Sequence, residues 1–200
     1  MARDRSSRPE ATPLRLFIAV DVPDDVKADV REAIEPFRST TSPVRWTAPE
    51  GWHVTLKFLG ATWPRLVDEV RQAIQAVASA TTRFETELGD LGTFPRPNRA
   101  RVLWVGLTDS DGRFASMVRQ LDERLLEHFR AEKRDFTPHL TLGRLNPPAN
   151  LHDASPELLA VSVSSPRFAV EELVLYRSHL SPRGARYEAV ERFPLRAAGP

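Results

Sequence analysis

The sequence has no cysteine among its 200 residues. This absence excludes disulfide scaffolds, iron–sulfur clusters, cysteine-ligated zinc and thiolate catalysis. No apolar run approaches the roughly 18 residues that a membrane-spanning helix needs. The polar N-terminus also lacks the apolar core of a signal peptide. We therefore expect a cytoplasmic protein that does not associate with membranes.

Neither sign of charge is in excess, since 28 Lys and Arg side chains stand against 27 Asp and Glu, for a net charge of +1. The chain as a whole is therefore not drawn to nucleic acid, and any recognition of phosphate must be local. Glycine is scarce as well, with 9 residues, and none stands in a dinucleotide-binding or P-loop pattern. Both of those nucleotide-binding motifs are excluded.

Short apolar segments separated by turn formers predict more strands than helices. Strands are expected at 14–20, 44–47, 52–59, 84–91, 101–107, 139–145, 161–163, 168–177 and 185–195, with loops at 92–98 and 146–150. Three amphipathic helices are expected, the first starting within 21–25 and reaching 37, the others within 64–77 and 114–129. Because several neighbouring strands are joined by short turns, the pattern favours antiparallel sheets and an α+β fold. We expect residues 1–12 to be a flexible tail and 13–200 to form one domain.

One short motif occurs twice. His53-Val-Thr-Leu and His139-Leu-Thr-Leu both read His-x-Thr-Leu, and each lies in a predicted strand. With only 5 histidines in 200 residues, chance gives about 0.04 such motifs in a chain of this composition. The repeat therefore indicates that the chain consists of two related halves.

Strand geometry predicts where these side chains point, because successive residues of a strand face opposite sides of the sheet. His53, Thr55 and Lys57 are expected on one face, and Val54, Leu56 and Phe58 on the other. His139 and Thr141 are expected to share a face in the same way. The apolar face of each strand belongs in the core, so the His and Thr side chains should line a cleft.

Two imidazoles and two hydroxyls are suited to a phosphodiester substrate. A neutral histidine can accept a proton from an attacking hydroxyl or water, and a protonated one can donate to the leaving oxygen. Threonine hydroxyls can hydrogen-bond the non-bridging oxygens, where negative charge develops. No His, Asp or Glu pair has the spacing of metal ligands. We expect no metal and no other cofactor.

Seven segments, in order along the chain, carry a family resemblance. They are LFIAVD (16–21), WHVTLKFLG (52–60), LGTFP (91–95), RVLWVG (101–106), FTPHLTLGR (136–144), LVLYRS (173–178) and ARYE (185–188). The sequence resembles the two-histidine (2H) phosphoesterase superfamily, with its HXTX motifs. Within it, the sequence is most similar to the bacterial LigT-like RNA 2′,3′-cyclic phosphodiesterases, also called 2′,5′ RNA ligases.

The resemblance implies a bilobal fold of two pseudo-symmetric lobes, with mostly antiparallel sheet, flanking helices and a central cleft. It further implies that His53 donates a proton to the leaving 3′ oxygen and that His139 accepts one from water. Thr55 and Thr141 would hold the phosphate. The implied reaction is hydrolysis of an RNA 2′,3′-cyclic phosphate to a 2′-phosphate, and the same site could join a cyclic phosphate to a 5′-hydroxyl as a 2′,5′ linkage.

Other side chains near the motifs are candidates for binding substrate. Arginines in or beside the predicted strands could grip phosphates, and aromatic residues could stack on a base. The candidates are Arg45, Arg101, Arg144, Phe17, Phe136 and Tyr176.

Two alternatives remain open at this point. The chain could be a non-catalytic module that binds nucleotides or RNA, or it could be a phosphodiesterase for another small cyclic phosphate or a 2′,5′-oligonucleotide. We expect the substrate to be an RNA end or a small cyclic nucleotide, and the protein to act as a monomer without an obligate protein partner.

Overall fold

The computed structural model describes residues 12–40, 43–132, 134–181 and 184–197. All of the predicted N-terminal tail except Thr12 lies outside these ranges. No helix in the described ranges combines the length and the apolar character needed to cross a membrane.

The chain alternates strands and helices in an α+β arrangement, as predicted. The strands are β1 (Leu14–Asp21), β2 (Arg45–Trp46), β3 (His53–Thr62), β4 (Phe84–Thr86), β5 (Leu88–Phe94), β6 (Ala100–Leu107), β7 (His139–Ala149), β8 (Phe168–Val170), β9 (Glu172–Ser181) and β10 (Gly184–Pro194). The helices are α1 (Asp24–Arg38), α2 (Val67–Ala80), α3 (Arg113–Leu125), α4 (Leu151–Ala154) and α5 (Pro156–Leu159).

One large sheet organises the molecule. Its strands lie in the order β10-β9-β1-β3-β7-β6-β5, β2 pairs with the far part of β7, and β4 pairs with β8 in a separate sheet. The named strand pairs are antiparallel. The two halves of the sheet meet where Val54 of β3 pairs with Leu140 of β7. Outward from this pair, β1 and β9 on one side correspond to β6 and β5 on the other, so the sheet has the expected pseudo-twofold arrangement.

The helices cover one face of the sheet. α3 packs on β3 and α2, and α2 also packs on β9 and β10. The apolar stripe of each helix is buried, as the spacing predicted, for example Ile34 in α1, Ile74 in α2 and Leu121 in α3. Because the apolar residues of β3 and β7 are buried on the helix side, the His and Thr side chains lie on the opposite face.

Some predicted element boundaries are wrong. Residues 84–91 form parts of two strands that join different sheets, and 161–163 form no strand. The expected loops at 92–98 and 146–150 are partly strand, because β5 continues to Phe94 and β7 to Ala149. In both places, pairing with β6 overrides the turn preference of Gly, Pro and Asn. The two short helices α4 and α5 were not predicted.

Candidate active site

The two His-x-Thr units lie side by side at the centre of the sheet. Val54 and Leu140 are antiparallel partners, and this register continued by one residue sets His53 across from Thr141 and Thr55 across from His139. Residues on either side of a paired residue project to the face opposite it. The two imidazoles and the two hydroxyls therefore share one face, and each histidine is next to the threonine of the other unit.

Each strand has a β-bulge directly after its His-x-Thr unit. On β1, Ala19 pairs with Thr55 but the preceding residue, Ile18, pairs with Lys57, so Leu56 has no partner. On β6, Trp104 pairs with Thr141 and the preceding residue pairs with Gly143, so Leu142 is skipped in the same way. An extra residue reverses the alternation of the side chains that follow. The two halves of the sheet therefore share an irregularity as well as a motif.

The bulge at Leu56 overturns the predicted faces of the two residues that follow it. Lys57, expected beside His53, is instead buried on the helix side, where its ammonium group forms an ion pair with Asp122 of α3. It also donates a hydrogen bond to the main-chain oxygen of Arg130, at 3.1 Å. Phe58, expected in the core, is 58% exposed and contacts Phe17 on the cleft face, with ring centroids 6.1 Å apart.

The bulge at Leu142 brings Arg144 onto the cleft face, at the position that Phe58 occupies in the other half. Arg144 is exposed and pairs across the strands with Arg45, which is also exposed. Among the described residues neither guanidinium group has an acidic partner. Arg144 lies near enough to His139 for its charge to disfavour the protonated form of that imidazole. The arrangement leaves two arginine side chains free to bind an anion.

Two of the predicted substrate-binding residues are not brought to the histidines. Arg101 is exposed at the start of β6, and strand alternation sets it on the face opposite Val102, the cross-strand partner of Arg144. Phe136 packs against the hydrophobic core. Among the described residues, the ring contacts of the two histidines do not include Phe136.

Three aromatic rings surround His53. Phe17 stacks on the imidazole at 4.7 Å between ring centroids, Tyr187 meets it edge-on at 5.0 Å, and Tyr176 is 5.7 Å away. Phe17 is only 3% exposed. Burial lowers the pKa of His53 to about 4, against a raising effect of Asp21 and smaller lowering effects of Lys27 and His139. The imidazole is therefore neutral near pH 7 when the cleft holds no anion.

Tyr187 was missed from the sequence as a site residue. It lies within the ARYE segment that carried part of the family resemblance, and that segment was the available signal. Its proximity to His53 depends on the β9–β10 hairpin, which sets Tyr187 opposite Ser178.

His139 has a different environment, with one fixed hydrogen bond. Its Nδ1 lies 2.7 Å from the main-chain oxygen of Thr137, and because a carbonyl oxygen only accepts, this nitrogen carries the proton. The Nε2 lone pair is then free in the neutral imidazole. Burial lowers the pKa of His139, the Thr137 contact raises it, and Arg144 lowers it further. Phe94 and Trp104 contact the ring at 5.0 Å and 6.0 Å.

A charged network stands beside His53. Asp21 is its cross-strand partner on β1, and the Tyr176 hydroxyl donates a hydrogen bond to one oxygen of that carboxylate. The other oxygen accepts from Arg192 at 3.0 Å, and Arg192 also forms an ion pair with Glu172. Burial, followed by the bond to Asp21, raises the pKa of Tyr176. This phenol therefore stays protonated at all moderate pH values and keeps donating to Asp21.

The site has the components of general acid–base chemistry. It offers two imidazoles that are neutral near pH 7, two hydroxyl donors and a nearby guanidinium pair. In the described ranges, no group of three or more His, Asp or Glu side chains is arranged to hold a metal ion. The arrangement suits proton transfer at a phosphate ester whose charge is stabilised by hydroxyl and guanidinium donors.

Comparison with known proteins points to the same chemistry. Residues 22–182 match the family model of the 2'-5' RNA ligase superfamily. A protein named RNA 2′,3′-cyclic phosphodiesterase from Methanothermobacter thermautotrophicus is 32% identical over 185 residues, which cover 91% of this chain and 99% of the relative. A protein of the same name from Methanocaldococcus jannaschii is 28% identical over 184 residues, 90% of this chain and 100% of the relative.

Known structures agree with this match. A protein of Thermus thermophilus superposes with a TM-score of 0.76 and 26% identity, covering 93% of this chain and all of that one (100%). E. coli LigT in complex with 3′-AMP superposes with a TM-score of 0.70 and 25% identity, covering 92% of this chain and 98% of that one.

Proposed function

The chain belongs to the 2'-5' RNA ligase superfamily, and we propose on that premise that it hydrolyses the 2′,3′-cyclic phosphate end of RNA to a 2′-phosphate. The observation that carries this proposal is the register of β3 and β7, which sets both His-x-Thr units side by side on one face of the sheet. Relatives that share 99% or more of their own length with this chain are named RNA 2′,3′-cyclic phosphodiesterase.

We propose that His139 is the general base. Its Nδ1 proton is held by Thr137, so Nε2 is left to take a proton from a water molecule. The water oxygen forms a bond to phosphorus while the bond between phosphorus and O3′ breaks. The phosphate then remains on O2′, which makes the product a 2′-phosphomonoester.

His53 is the general acid in this scheme, as the family resemblance implies, and it protonates O3′ as that oxygen leaves. In the free protein its pKa is about 4, so the acid form must be restored when substrate binds. The cyclic phosphate carries a negative charge, and an anion within a few ångströms of an imidazole raises its pKa. Substrate binding thus supplies the protonated histidine that the reaction needs.

The remaining cleft residues bind and orient the substrate in this proposal. Thr55 and Thr141 donate hydrogen bonds to the non-bridging oxygens, and Arg144, with Arg45 beside it, adds positive charge. The exposed ring of Phe58 offers a stacking surface for the base. Phe17 is almost fully buried against His53, and we assign it to supporting that imidazole.

The same groups can open the cyclic phosphate with another nucleophile. If a 5′-hydroxyl of RNA takes the place of water, the same steps join the two strands by a 2′,5′ linkage. We propose that the protein acts as a monomer in the cytoplasm on RNA ends, and that a small 2′,3′-cyclic nucleotide serves as a minimal substrate.

The proposed function is tested by turnover of a nucleoside 2′,3′-cyclic monophosphate. His53→Ala and His139→Ala should each lower the rate about 10²–10⁴-fold, since each removes one proton-transfer group. His152→Ala, at an exposed position outside the cleft, is the matched control and should leave the rate unchanged. EDTA should not inhibit the wild-type protein.

Three results would contradict the proposal. Wild-type protein that binds the nucleotide without turnover would be a binding module. Either cleft variant retaining more than about a tenth of the wild-type rate would remove that histidine from the proton transfers. Inhibition by EDTA that a divalent ion reverses would require a metal in the reaction.

A further inference from the structure

The two halves of the site differ in the residue that faces each histidine across the strands. Asp21 of β1 is the register partner of His53, whereas the equivalent partner of His139 on β6 is Gly106. A second difference lies after the bulge, where Phe58 stands in one half and Arg144 in the other. A carboxylate favours the protonated form of a neighbouring imidazole, and a guanidinium disfavours it.

Asp21 is held in place on both of its carboxylate oxygens. Tyr176 donates to one oxygen and Arg192 to the other, and the Tyr176 ring itself lies against His53. Arg192 reduces the negative charge of Asp21, but Glu172 is also paired with Arg192. The three charged groups sum to −1, so the network presents a net negative charge beside His53.

Other titratable groups also face His53, and most of them do not favour its protonation. Lys27 of α1 and His139 of β7 oppose the cation by their charge, and burial opposes it more strongly than either. Tyr187 of β10 meets the imidazole edge-on and Tyr176 of β9 lies alongside it. Among these groups, Asp21 is the one whose charge favours the protonated imidazole.

We propose that Asp21, fixed by Tyr176 and Arg192, is a positioning residue that assigns the role of proton donor to His53 and leaves His139 as the acceptor. This inference rests on the proposed function. It explains how a site with two equivalent motifs performs a reaction that needs two different protonation states. Asp21 touches neither substrate nor the transferred proton, and acts only through the imidazole.

The test is a titration of the individual histidine rings by NMR, which does not depend on catalysis. Asp21→Asn keeps the size of the side chain and an oxygen for the Tyr176 hydroxyl, but removes the charge. The charge of a nearby carboxylate is worth about one pKa unit or more. With a pKa of about 4, the wild-type His53 ring is about half protonated at pH 4. In Asp21→Asn, about a tenth or less of it should be protonated.

Matched variants complete the experiment. Asp21→Glu should restore part of the protonation, and Asp111→Asn, at an exposed position before α3, should titrate like the wild type. The His139 ring should titrate alike in all four proteins, which also shows that they are folded. Turnover of a cyclic nucleotide at pH 7 should fall about tenfold in Asp21→Asn, as expected for one pKa unit.

The inference is overturned if His53 is protonated to the same extent at pH 4 in Asp21→Asn and in the wild type. That result would leave the proposed function standing if His53→Ala still abolishes turnover. Conversely, wild-type protein without turnover would defeat the proposed function, while the ring titration would still show whether Asp21 controls His53.

Discussion

Threonine and histidine contribute differently at the centre of the site. A hydroxyl group does not titrate in the relevant pH range, so Thr55 and Thr141 act only by donating hydrogen bonds to developing charge. Thr→Val keeps the β-branched shape that suits a strand and removes the donor.

Thr55→Val and Thr141→Val should each lower the turnover of cyclic phosphate about 10²–10³-fold, and less if Arg144 compensates. The shape of the pH–rate profile should not change, because both histidines remain. Thr108→Val, at an exposed position just after β6, serves as the control. If both cleft variants turn over substrate at the wild-type rate, the hydroxyls do not contact the transition state.

The residues that could be found from the sequence were those in a repeated pattern. His53, Thr55, His139 and Thr141 recur at the same spacing, and a period of two is enough to set them on one face. Asp21 and Tyr187 belong to no such pattern. Asp21 reaches His53 only through the pairing of β1 with β3, and Tyr187 only through the pairing of β10 with β9.

At the scale of the strand, the alternation of side chains predicts the face of each residue only as far as the first β-bulge. Nothing in the composition of His-Val-Thr-Leu-Lys-Phe reveals that Leu56 is skipped by its partner strand. Lys57 looks like a cleft residue in the sequence because its burial depends on Asp122, which lies in a helix far along the chain. The bulges are therefore tertiary features: the one at Leu56 brings Phe58 to the cleft, and the one at Leu142 brings Arg144 there.

The ion pair behind the first bulge should make a large contribution to stability. The Lys57 side chain is 1% exposed and that of Asp122 18%. Asp122→Asn leaves a buried ammonium without its carboxylate and should lower the free energy of unfolding by about 3–5 kcal/mol. Asp68→Asn breaks an exposed pair with Arg71 and should cost less than about 1 kcal/mol.

Urea unfolding of the two Asn variants and the wild type measures both effects. Equal small losses in Asp122→Asn and Asp68→Asn would show that the pair between Lys57 and Asp122 contributes no more to stability than an exposed pair.

For the whole molecule, short-range patterns in the sequence predicted the fold class but did not predict the order of the strands in the sheet. Apolar runs separated by turns indicated an α+β fold, and the duplicated motif indicated two related halves. The joining of both halves into one sheet at Val54 and Leu140 depends on pairings that no local pattern encodes. The same holds for β4 and β8, which leave that sheet and pair with each other.

Stability of the folded protein should depend on pH through the buried histidines. An unfolded histidine titrates near 6.5, while His53 in the fold has a pKa of about 4. Between these pH values the unfolded state binds more protons than the folded state. The free energy of unfolding is therefore unaffected by this group above about pH 6.5 and decreases as the pH falls toward 4. For this one group the loss by pH 4.5 is on the order of 2 kcal/mol.

Urea unfolding at pH 7 and pH 4.5 isolates this contribution. The wild type should lose about 2 kcal/mol more than His53→Gln over this interval. His152→Gln, at an exposed position, should lose as much as the wild type. Identical losses in His53→Gln and the wild type would show that the imidazole is not buried in neutral form.

The most direct test of the central claim is the position of the phosphate in the product of an RNA that ends in a 2′,3′-cyclic phosphate. If water attacks in line with O3′ while His53 protonates that oxygen, the end must become a 2′-phosphate, and ³¹P NMR of the reaction distinguishes it from the 3′ isomer. We predict the 2′-phosphate as the sole product, with the same rate in EDTA. A 3′-phosphate product, or an RNA end left cyclic by the wild-type protein, would contradict the account.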